Sequence, residues 1–109
     1  MSAATFAASL RRAGRPMALK RRNGTSATFT ECTVFGKARF YKPEELVGGV
    51  AQGDRRIRIA QADIAAAGWP GPPKAGSTDT LDGGAVQGVE KLYEGAELVG
   101  FVVWVRGGG

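Results

Sequence analysis

The sequence predicts a mainly β fold: a small β-barrel with a long inter-strand loop, a short N-terminal helix, and a short helical turn after the third strand. Short runs rich in Thr, Val, Phe and Tyr alternate between apolar and polar residues, as half-buried strands do. Asn23-Gly24, Asp82-Gly83-Gly84 and Glu94-Gly95 punctuate them as hairpin turns. The chain has 109 residues, enough for one domain with its own core.

The elements follow in order. Ser2 is placed to cap a helix running to Leu10 or Arg12, with Phe6 and Leu10 on one stripe beside Ala3 and Ala7. Gly14 and Pro16 stop it. A helix this short is marginal alone, so it docks on its own barrel, docks on a neighbour, or frays. The chain thus divides into an N-terminal arm, residues 1–15, and a barrel domain, residues 16–107.

Met17 to Arg22 reads as a half-buried strand with Met17 and Leu19 on one face. Thr28 to Tyr41 reads as a long strand. Cys32, Val34, Ala38 and Phe40 share one side of it; Phe29, Glu31, Phe35, Lys37 and Arg39 share the other, and Gly36 suggests a bulge. Pro43 ends the ladder, and a loop of roughly twelve residues runs to Asp54, at the upper end of the usual range. It holds Pro43, Glu44, Glu45, Leu46, Val47, Gly48, Gly49, Val50, Gln52, Gly53 and Asp54, and its apolar members need a surface to cover them.

Arg56 to Ala60 resumes the alternation, with Ile57 and Ile59 inward and Arg56 and Arg58 outward. Gln61 to Ala67 favours one or two helical turns, and Pro70, Pro72 and Pro73 make the next segment extended. Trp69 reads as a lid over one barrel end or as a partner anchor. Ser77 to Leu81, Val86 to Tyr93 and Glu97 to Arg106 are the last strands, and the Gly107-Gly108-Gly109 tail reads as disordered. The final strand is apolar on both faces. Leu98, Val102 and Trp104 suffice for the core; Val99, Phe101, Val103 and Val105 then form a subunit contact, unless the N-terminal helix covers them.

The net charge is +5, concentrated in residues 1–30, where Arg11, Arg12, Arg15, Lys20, Arg21 and Arg22 meet no acid. Such a patch seeks an acidic partner or is a solvated face. Arg11, Arg12 and Arg15 are the candidates for such a contact. The arginines following Ala3–Leu10 reverse the secretory order, so no signal peptide is expected. No apolar run approaches a membrane span.

Chemistry is sparse. There is no histidine and one cysteine, Cys32, which reads as a small core residue. Catalytic triads, a zinc site and an intrachain disulfide are therefore not expected. Glu44 and Glu45 are adjacent and point apart, which spoils shared acid–base work. Gly48-Gly49 lacks the Lys and Ser/Thr of a phosphate loop. No catalytic residue, cofactor or metal is expected. A small basic barrel with Phe29, Phe35, Phe40 and Tyr41 also fits an OB-like binder of single-stranded nucleic acid, although those aromatics divide between two faces.

The segment Tyr41-Lys42-Pro43-Glu44-Glu45-Leu46-Val47-Gly48-Gly49-Val50-Ala51-Gln52-Gly53-Asp54-Arg55 resembles the head-closure, or stopper, proteins of long-tailed phages and gene transfer agents. Arg58-Ile59-Ala60, Ala62 to Trp69, Pro72 to Gly76, Leu81-Asp82-Gly83 and Val103 to Gly107 look like their following elements. The likeness covers residues 15–107 and leaves out the basic N-terminal helix; Ser77-Thr78-Asp79 stands where family members often have Gly-Asp. The resemblance implies a structural virion protein, made in the host bacterial cytoplasm. It implies a homo-oligomeric ring, commonly sixfold, between the portal or adaptor ring and the tail terminator or tail tube. It implies that the loop from Pro43 to Asp54 lies near the channel and helps retain packaged DNA, with no membrane partner.

Overall fold

The computed structural model describes residues 2–22, 29–69, 71–76 and 78–107. Six antiparallel strands close into one barrel in the order β1-β2-β3-β6-β5-β4. They are β1 (Arg15–Arg22), β2 (Phe29–Phe40), β3 (Arg55–Ala60), β4 (Asp79–Leu81), β5 (Gly84–Glu94) and β6 (Glu97–Arg106). Two helices accompany them, α1 (Ala3–Ala13) and α2 (Gln61–Ala66). The expected fold class is the observed one. Asn23-Gly24 and the last two glycines lie outside the described residues.

Alternation builds the interior. Met17, Leu19, Val34, Ile57, Ile59, Leu81, Val86, Phe101, Val103 and Val105 fill the barrel, and Ile64 of α2 joins them with Trp69, so the segment after β3 plugs it. Trp69 is therefore a lid, with the Arg21 guanidinium 5.1 Å from its ring centroid. Asp82 (φ 52) and Gly83 (φ 81) supply the two left-handed residues of a tight β4–β5 hairpin, in which Leu81 faces Gly84.

β2 serves two neighbours. Residues 29–36 pair with β1 and residues 36–40 with β3. The register runs through Gly36 without a break, which corrects the bulge expected there. Glycine leaves room for Met17, whose Sδ would stand 2.6 Å from a Cβ there and would have to shift inside the barrel. The irregularities fall in β5 instead, between Val86 and Gly88 and between Leu92 and Tyr93. Ala38 and Phe40 share their parity with Val34, yet both are exposed.

Ser2 Oγ accepts from Thr5 N at 3.1 Å, as a helix cap should. Gly14 ends α1 with an extended backbone, and a Cβ there would meet Gly36 O at 2.3 Å. Close approach, not left-handed geometry, selects this glycine. α1 docks on its own barrel: Ala7, Leu10 and Ala60 form a second core, with Phe6, Phe35 and Ala62 around it.

That docking corrects the assignment of β6. Val99, Phe101 and Val103 are 3%, 0% and 0% exposed within the single chain, so they are core rather than subunit interface. The opposite side carries Gly100, directly beneath Phe6, then Val102 and Trp104. Both faces of β6 are apolar because one lines the barrel and the other is covered in part by α1. Trp104, expected in the core, is half-exposed on the outside.

Candidate functional site

The loop from Tyr41 to Asp54 leaves β2 and returns into β3, and its own residues shape it. Pro43 starts a short 3-10 turn, Pro43–Glu45. Glu45 accepts from Lys42 N at 2.8 Å and takes a two-pronged ion pair from Arg39, at 2.8 and 3.0 Å. These bonds hold the Glu45 carboxyl down at about 2, the Arg39 guanidinium first and the Lys42 amide second. Gly48 (φ 62), Gly49 (φ 92) and Gly53 (φ 94) take the left-handed corners.

Asp54 closes the loop and is 2% exposed. Its carboxylate accepts from Arg106 Nε at 3.0 Å and from a terminal Arg106 nitrogen at 2.9 Å. It also accepts from Ala51 N at 2.9 Å and Trp104 Nε1 at 2.7 Å. Arg106 continues to Gly49 O at 2.8 Å. The Asp54 carboxyl is held down at about 2, chiefly by Arg106, against the opposing effect of burial. One buried acid thus ties the C-terminal half of the loop to β6.

On this frame Val47 of the loop and Phe40 beside it stay outward. Val47 is 70% exposed and Phe40 66%, while Leu46 and Val50 are half-buried. Phe40, Tyr41, Pro43, Leu46, Gln52 and Gly53 line a shallow hollow of about 400 Å³. Of the loop residues named from sequence, Glu45, Gly48, Gly49, Gly53 and Asp54 build the frame. Val47 is presented at the surface, and Glu44 is exposed without a role in the frame.

The basic N-terminal segment is largely answered within the subunit. Arg11 pairs with Asp63 at 2.8 Å and lies 5.8 Å from the Phe35 ring centroid. Arg15 pairs with Asp82, which also takes Arg55 at 2.7 Å. Lys20 reaches Glu31 at 3.5 Å. Arg21 grips the fully buried Asp79 through two bonds of 2.7 and 2.8 Å. Burial works against ionising Asp79, yet Arg21 and the Lys74 amide outweigh it and the net shift is downward. Of the three arginines named for an outside contact, only Arg12 forms no ion pair among the described residues.

The arginine–aspartate pairs were not legible in the sequence, because their partners lie up to 67 residues apart. Strand parity put Lys37 with Arg39 and Arg56 with Arg58; the register sets the two pairs face to face. The aromatics are not assembled into a stacking platform: Phe29 and Phe40 are exposed on opposite sides of β2, and Phe35 packs beneath α1. Cys32 is half-buried against the core, and its thiol is pushed up, first by burial. Among the described residues no three His, Cys, Asp or Glu side chains come together as metal ligands. No helix there is long and apolar enough to cross a membrane.

No protein-family model, curated protein or solved structure matches this chain.

Proposed function

We propose that this chain is a non-enzymatic subunit of a ring at the head–tail junction of a long-tailed phage or gene transfer agent, where it helps to retain packaged DNA. One observation carries the reading. The segment that resembles the stopper family is one pinned unit that presents Val47 outward instead of folding it away. Pro43, Glu45, the loop glycines and Asp54 are all spent on holding that shape. Exposed apolar residues on a fixed frame suit contact with a neighbour better than catalysis. Glu45 and Asp54, both held near 2, are poorly matched to proton transfer at neutral pH. A ring makes such contacts head-to-tail and closes them by rotation.

Particle imaging tests this directly. Density for the chain is expected as a ring between the portal or adaptor and the tail. Val47→Asp should give a folded subunit with unchanged melting that fails to enter particles. A chain absent from particles, or a Val47→Asp variant that assembles normally, would overturn the proposal.

A further inference from the structure

We infer that the outer face of β2 and β3 is a binding surface for the phosphodiester backbone of a nucleic acid, held by Lys37, Arg56 and Arg58 with Arg39 at its edge. This does not depend on the ring proposal, because its three principal cations, Lys37, Arg56 and Arg58, lie on β2 and β3 and not in the loop.

The register sets Lys37 opposite Arg58 and Arg39 opposite Arg56. Two like-charged pairs therefore face one another across adjacent strands, an arrangement that costs stability. Elsewhere most arginines are paired: Arg11, Arg15, Arg21, Arg55 and Arg106 each have an aspartate, while Arg12 and Arg22 form no ion pair among the described residues. In this patch only Arg39 has an acid, Glu45. Lys37, Arg56 and Arg58 have no ion pair among the described residues. Glu90 shares a hollow with Arg56 but forms no ion pair with it. The four cations and Ala38 surround a hollow of about 220 Å³. A local rule broken without compensation inside the fold marks a place where function is served.

The geometry selects the occupant. Along a strand, alternate residues repeat at about 6.7 Å, and across the pair side chains start about 5 Å apart. The result is a regular grid of positive charge, suited to an anion that itself repeats. Three of the four cations are arginines, whose planar fork takes two phosphate oxygens at once. A nucleic-acid backbone supplies evenly spaced phosphates along one line; the carboxylates of a protein surface are not so ordered. Tyr41 and Trp104 share a hollow with Arg56 at one side of the grid, but no aromatic lines the hollow between the four cations, so the contacts there are to the backbone and binding should be indifferent to sequence.

The test is fluorescence anisotropy on the whole chain, with a labelled duplex and a labelled single strand of equal length. Wild type should bind both, and duplex affinity should fall about 40-fold between roughly 50 and 200 mM salt, the loss for three neutralised phosphates. The single strand should show a shallower slope. Lys37→Ala/Arg56→Ala/Arg58→Ala should melt no lower than wild type, since like charges are removed, yet bind at least tenfold more weakly with most of the salt slope gone. Arg12→Ala/Arg22→Ala, exposed cations elsewhere, should change binding less than about twofold. Three results would each overturn the inference: no salt-dependent binding by wild type, a triple variant that binds like wild type, or equal affinity for polyglutamate of matched charge. Failure here leaves particle incorporation untouched, so the two proposals are separable.

Discussion

The indole Nε1–H of Trp104 donates to Asp54 Oδ2 at 2.7 Å, joining the end of a glycine-rich loop to the last strand of the barrel. A buried carboxylate would be costly alone; here Arg106 and the Ala51 amide share it. Asp54→Ala should lower stability by about 2–3 kcal/mol, the range for losing hydrogen bonds to a charged group. The loop amides from Leu46 to Gly53 should exchange faster, while amides in β1 keep their protection. Uniform loss across the barrel would mean that Asp54 holds the fold rather than the loop.

The same contact sets a pH dependence. The Asp54 carboxyl lies at about 2 in the folded chain against an ordinary 3.8, so the unfolded chain binds the extra proton first on acidification. Its stabilisation is complete above about pH 5, fades as pH falls through the unfolded value, and is gone below about pH 2, at most about 2 kcal/mol in all. Glu45, lowered in the same direction, acts over the same window. An acid titration of the Trp104 indole proton by NMR should report the loop releasing in that range, and Asp54→Asn should remove most of the dependence.

Phe101 is fully buried in the barrel. Phe101→Ala should cost about 3–5 kcal/mol, and Phe101→Glu should leave no folded subunit. Thermal melting decides this. A Phe101→Glu variant with near-normal melting would return the residue to a surface.

Two glycines should respond differently to alanine. At Gly100 the new Cβ would lie 2.4 Å from Ile59 O and 2.5 Å from Phe6 Cε2. At Gly36 its closest neighbour is Met17 Sδ, the far part of a flexible side chain. Gly100→Ala should therefore destabilise by about 2–3 kcal/mol and Gly36→Ala by about 1 kcal/mol. Phe6→Ala added to Gly100→Ala should recover only part, since the backbone clash remains. Full recovery would show that α1 alone sets the requirement for glycine.

Leu10 tests the cover provided by α1. Leu10 is 3% exposed against Ala7 and Ala60. Leu10→Ala should cost about 2–3 kcal/mol, and removing residues 1–14 should make the subunit self-associate through the bared outer surface of β6 and β3. A truncated chain that remains monomeric with unchanged melting would show that the helix is dispensable.

The sequence by itself determined the strands, the Asp82-Gly83 and Glu94-Gly95 turns, the capped first helix and the presence of a loop after Pro43, because each depends on neighbours within a few residues; what pins that loop, the bonds from Asp54 to Trp104 and Arg106, reaches across 50 residues or more and belongs to the tertiary structure. Period two marked Met17 with Leu19 and Ile57 with Ile59, and Asp82-Gly83 needs only its own φ angles. Tertiary structure decided which side of β6 faces inward. Both sides are apolar, so alternation carries no sign there, and only docking of Phe6 over Gly100 breaks the tie. It also decided the fate of the charges. Arg11, Arg15 and Arg21 look free in the sequence, yet each finds an aspartate more than 50 residues away. Lys37 and Arg58, each placed on its own strand by alternation, become a facing pair through register alone. Local chemistry sets local shape, whereas burial and ion pairing depend on closure of the barrel, which no local stretch of sequence encodes.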